Sequence, residues 1–104
     1  MGKARPQRQL EVPIGELGIV CRKYHVHELS LFGSAARGEA RVDSDLDFLV
    51  EFEPEARIGL IAFNRLAEEL SELLQKPVDL VSKRGLKNTI REQVLAEAEV
   101  VYAA

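Results

Sequence analysis

The sequence predicts an α/β or α+β domain in which a small sheet is covered by helices. Three observations carry this. Short apolar runs bounded by turn residues recur at 29–32, 48–50 and 78–81, as strands do. Residues 58–75 repeat apolar side chains at helical spacing. The two kinds of segment follow one another as helix, strand, loop, strand, helix, strand, helix. Strand direction is not readable from this order.

The elements follow in turn. Residues 1–9 form a basic arm with no apolar periodicity, expected to be disordered. From 13 to 24, Ile14, Leu17, Ile19, Val20 and Cys21 are spaced approximately as in a helix, and Pro13 suits a first turn. Gly15 and Gly18 weaken that helix. The first strand is expected at 27–32, with Leu29 and Leu31 on one face. A Gly-Ser turn and a polar loop occupy 33–44. The second strand is expected at 45–52 and stops before Pro54, which cannot donate to a central ladder. In the helix at 58–75, Phe63, Leu66, Leu70, Leu73 and Leu74 form the inner stripe, and Glu68, Glu69 and Glu72 lie on the wet side. Lys76-Pro77 ends it, and 78–81 is the third strand. A last helix at 86–98 is expected to turn Ile90, Val94 and Leu95 inward. Residues 100–102 extend as a short strand or tail.

Composition bounds the class. A chain of 104 residues fits one domain spanning 1–104. No apolar run approaches the ~20 residues that span a bilayer, and the N-terminus lacks the apolar core of a signal peptide. One cysteine, Cys21, excludes an intrachain disulfide. A cytoplasmic location follows as the expectation. Fourteen basic against seventeen acidic residues leave a net charge of −3, opposite in sign to what backbone binding of nucleic acid requires. A single nucleotide neutralised by metal remains compatible with that charge.

The chemistry concentrates at 33–47. On a strand, Asp45 and Asp47 share a face, and adjacent carboxylates repel unless a cation lies between them. Oxygen ligands of this kind favour Mg²⁺ or Mn²⁺ over zinc. Gly33 allows close backbone approach and Ser34 adds a hydroxyl, which suits phosphate. Arg37 supplies a compensating cation. Asp79 interrupts an apolar run, and a buried carboxylate is costly unless paired or metal-bound. It is the third candidate ligand. Other residues read more plainly. His25 and His27 lack further ligands for zinc, Cys21 reads as a buried inert thiol, and Tyr24 and Tyr102 as packing residues. Glu39 and Asp43 read as loop polarity, and Lys83, Arg84, Lys87 and Arg91 as a solvated basic face.

The string Phe32-Gly33-Ser34-Ala35-Ala36-Arg37-Gly38-Glu39, continued by Ser44-Asp45-Leu46-Asp47 and by Asp79, resembles the minimal nucleotidyltransferases, the MNT family of the polymerase-beta-like nucleotidyltransferase superfamily. The closing Ile90-Arg91-Glu92-Gln93-Val94-Leu95 is also similar. Many members carry a basic residue after Gly-Ser, where this chain has Ala35. The resemblance implies a small mixed β-sheet flanked by helices. It implies Asp45, Asp47 and Asp79 as catalytic metal ligands for two Mg²⁺ ions, with Gly33, Ser34 and Arg37 on the nucleotide. It further implies transfer of AMP, or another NMP, from ATP or another NTP to a hydroxyl. The expected acceptor is a tyrosine of a HEPN ribonuclease toxin for which the chain is the antitoxin. Two other readings stand beside it: an antitoxin that acts by occlusion, and a small-molecule nucleotidyltransferase that acts as a homodimer.

Overall fold

A computed structural model describes residues 12–39 and 44–104; the basic arm at 1–9 and the loop residues 40–43, Asp43 among them, lie outside these. The elements are α1 (Ile14–Lys23), β1 (Val26–Phe32), β2 (Leu46–Phe52), α2 (Leu60–Leu74), β3 (Val78–Ser82), α3 (Asn88–Glu97) and β4 (Glu99–Ala103), with a 3₁₀ turn at Lys83–Gly85. The sheet order is β3-β2-β1-β4. β1 pairs antiparallel with both β2 and β4, and β2 pairs parallel with β3. The sheet is therefore mixed. Its one parallel pair is joined through α2, as a crossover requires. The tail at 100–102 is part of the edge strand β4.

Alternation along the strands divides the sheet into two unlike faces. Leu29 and Leu31 of β1, with Leu46, Phe48 and Val50 of β2, point to one face. There they meet Leu17 and Cys21 of α1 and Leu66, Leu70 and Leu74 of α2. Burial pushes the Cys21 thiol up to about 12, so it behaves as a small apolar group rather than a nucleophile. The α2 stripe falls where its spacing put it. The helix ends at Leu74, with Gln75 in the left-handed region at φ 58°. The Ser71 hydroxyl accepts from the Val78 N–H at 3.0 Å and ties this end to β3.

Several details depart from expectation. Glu69 is not simply solvated: Tyr24 Oη donates to its Oε2 at 2.5 Å and Lys23 Nζ lies 2.8 Å from the same oxygen, clamping α1 to α2. These contacts hold the Glu69 carboxyl below its usual range. His25 lies outside β1, which begins at Val26, and takes φ 59° in the preceding turn. α3 carries no buried residue, and Ile90 and Leu95 are 46% and 39% exposed. The reason is geometric: α1 and α2 already fill the core face, so the apolar residues of α3 have no place there. Among the described residues, no helix is long and apolar enough to cross a membrane.

Candidate active site

The second face of the sheet carries the acids. Phe32 pairs with Asp47, and Asp47 pairs with Asp79 across the parallel β2–β3 ladder. Directly opposed residues project to the same side. Asp47 and Asp79 therefore point together, away from the core. Asp47 is half-buried and Asp79 exposed. The burial expected for Asp79 is thus corrected: β3 is an edge strand, and its acid faces the open side. Asp45 is exposed and immediately precedes β2, so it flanks the strand rather than riding on it.

These acids act on one another. The Asp47 carboxyl is held above the usual carboxylate range, first by burial, then by the charges of Asp79 and Asp45, with Arg37 opposing. Among the described residues, no three His, Cys, Asp or Glu side chains close into a complete protein shell for a metal. Mg²⁺ does not ask for one. It binds through one or two carboxylates and completes its octahedron with water and phosphate oxygens. A half-buried carboxylate with surplus negative charge on both sides fits that requirement.

The Gly-Ser turn adjoins Asp47. Gly33 has φ 74°, and a Cβ at this position would collide with Asp47 Oδ2. The turn winds on through Arg37 N–H to Gly33 O at 3.2 Å and Glu39 N–H to Ser34 O at 2.8 Å. In such a turn the first N–H groups have no partner within the turn, an arrangement that can receive an anion. Ala35 is 5% exposed and belongs to the core cluster, so the position following Gly-Ser anchors the turn rather than offering a charge.

Arg37 is half exposed. Its Nε donates to Glu39 Oε1 at 3.1 Å and its Nη1 to Glu97 Oε1 at 2.9 Å. Sequence reasoning gave Glu39 no role beyond loop polarity and missed Glu97. Nothing in the order of residues says that the end of α3 meets the turn after β1.

The structure thus gathers Gly33, Arg37, Asp47 and Asp79, with Asp45 at the margin. It does not gather the basic cluster with them. Lys83 lies 3.3 Å from Glu51 and 3.8 Å from Glu28, and Arg91 donates to the Lys83 carbonyl. Glu51, Lys83, Arg84 and Arg91 line a cavity of about 660 Å³ beside Phe52 and Phe63, at the opposite end of β2 from Asp47. That cavity is not where the acids converge.

A family model described as "Nucleotidyltransferase domain" matches residues 17–101. The chain belongs to the nucleotidyltransferase domain family. Among similar proteins is the protein adenylyltransferase MntA of Thermococcus cleftensis, 48% identical over 80 residues, covering 77% of each chain. A solved structure assigned as a minimal nucleotidyltransferase is 45% identical, with a TM-score of 0.71 over 83% of this chain and 86% of that one. A toxin–antitoxin structure with AMP-PNP shares the fold at a TM-score of 0.72, with 24% identity, over 89% of this chain and 75% of that one.

Proposed function

We propose that this chain is a single-domain, Mg²⁺-dependent protein adenylyltransferase that transfers AMP from ATP to a tyrosine hydroxyl of a HEPN-type toxin and so acts as its antitoxin. The observation that carries the reading is the pairing of Asp47 with Asp79 beside a glycine that has no room for a side chain. The similarity to MntA of Thermococcus cleftensis supports AMP as the transferred group and protein as the acceptor.

The residues divide the work as follows. Gly33 and Ser34 present backbone N–H groups and a hydroxyl to the β- and γ-phosphates. Arg37 adds a guanidinium on the same side. Asp45 and Asp47 would hold Mg²⁺, and Asp79 would complete the site next to the acceptor. When bound, Mg²⁺ supplies positive charge to the triphosphate oxygens and lowers the pKa of the attacking hydroxyl. The acceptor oxygen attacks the α-phosphorus, the bond to the β-phosphate oxygen breaks, and pyrophosphate leaves. What the chain contributes is alignment and a preorganised field. Asp79 lies on an edge strand, so an acceptor carried by another protein reaches it from the side of the sheet.

The test uses the full chain and a HEPN-type toxin as its candidate partner. With ATP and Mg²⁺, the partner gains AMP on tyrosine and loses ribonuclease activity. With Asp47→Asn, both changes disappear. If the variant silences the partner as well as the wild type and no AMP is transferred, neutralisation is by occlusion and the enzymatic reading is wrong.

A further inference from the structure

The Arg37–Glu97 contact joins residues sixty positions apart in the chain. Arg37 stands in the turn that follows Gly33-Ser34, and Glu97 is the last residue of α3. The two carboxylates on Arg37 are not equivalent. The Glu39 side chain is 63% exposed and only two residues away, whereas that of Glu97 is 22% exposed. An exposed local pair holds an arginine weakly, because solvent screens it and both side chains retain their freedom. The more enclosed carboxylate on a separate element is the one able to fix the guanidinium.

The geometry of the fork matters. A guanidinium carries five N–H donors in one plane. Glu39 takes Nε and Glu97 takes Nη1, which leaves the Nη2 side with its donors unused by either. A planar guanidinium held at Nε and at Nη1 is fixed in rotation, and the Nη2 donors between them are presented to a phosphate in a set direction. α3 itself buries no residue in the core. The closing of its C-terminal end onto the turn therefore matters more for the site than for the core.

We propose that Glu97 is a positioning residue, which orients Arg37 toward the phosphates of the bound nucleotide. The inference rests on the reading of residues 33–37 as the nucleotide site. Glu97 touches neither the nucleotide nor the reacting atoms. Its effect passes through Arg37, so it strengthens nucleotide binding and vanishes when Arg37 is absent.

The experiment is a calorimetric titration of the full chain with Mg²⁺ and a non-hydrolysable ATP analogue, together with melting of each variant without ligand. Arg37→Ala is expected to weaken binding about tenfold. Glu97→Ala is expected to weaken it about three- to tenfold, the range for restoring freedom to one long side chain. Glu97→Gln, which keeps an acceptor oxygen, recovers most of the loss and also serves if the alanine variant does not fold. On the Arg37→Ala background, Glu97→Ala has no further effect, and unliganded Glu97→Ala melts within a few degrees of wild type.

Binding lost in Arg37→Ala but kept in Glu97→Ala overturns the inference alone. So does an equal loss from Glu97→Ala on both backgrounds, which would mean that it acts through α3 and not through Arg37. No binding by wild type, or binding that Arg37→Ala leaves untouched, overturns the reading of the site and the inference with it.

Discussion

Asp47→Asn is expected to reduce AMP transfer by about 10³-fold, the scale for removing a single preorganised charge-stabilising group from an active site. In a metal chelator, the same variant should melt at a higher temperature than wild type. The two effects share one cause. In the folded chain the Asp47 carboxyl is raised by burial and by Asp79 and Asp45. A carboxyl raised on folding binds more protons in the native state than in the unfolded one. Its contribution to stability is therefore greatest below the unfolded pKa of about 3.9 and is lost as pH rises through the folded value. At neutral pH the ionised Asp47 destabilises the metal-free fold, and Asn removes that cost. Subtracting the Asp47→Asn melting curve from the wild-type curve at each pH isolates this component. It also cancels the opposite contribution of Glu69, whose depressed pKa favours the fold at higher pH. Added Mg²⁺ should raise the wild-type melting temperature and leave that of Asp47→Asn nearly unchanged.

Gly33→Ala is expected to damage both fold and site. At φ 74° an L side chain costs about 1–2 kcal/mol, and the added Cβ would meet the Asp47 carboxylate. A loss of that size lowers the melting temperature by about 4–8 °C per kcal/mol in a domain this small. Because Asp47 must move to make room, transfer should fall further than stability alone explains. Gly15→Ala in α1 is the control. A Cβ there meets nothing within 4 Å, and alanine in a helix gains about 0.5–1 kcal/mol over glycine. Circular dichroism melts of the three proteins, with transfer assays at a temperature where all are folded, separate the two effects.

How far the sequence carried this account depends on what each feature is made of. The stripe of Leu66, Leu70 and Leu74 and the apolar strand residues Leu29, Leu31 and Phe48 are local patterns, and they are buried as their spacing requires. Asp79 is a candidate ligand for a reason other than the one its sequence suggests. Asp79 stood out as an acid expected to be buried, but it is exposed, and its relevance comes from the β2–β3 register. Register is a long-range property that alternation within one strand does not encode. The inward face assigned to α3 failed for a related reason. Ile90 and Leu95 have helical spacing, but spacing does not say whether a core remains to be filled. Arg37 was placed from the turn it occupies. Its two carboxylate partners became visible only when the end of α3 was seen to close on that turn.

The central claim is that the acidic face beside Gly33 passes the α-phosphoryl group of ATP, with its nucleoside, to another protein. The most direct measurement supplies the full chain and a HEPN-type toxin with Mg²⁺ and ATP labelled in separate reactions at the α- or the γ-phosphate. The account predicts that α-label becomes fixed to the partner and γ-label is released in pyrophosphate, with neither event in Asp47→Asn. Transfer of γ-label to the partner, or transfer of α-label that survives Asp47→Asn, would contradict it.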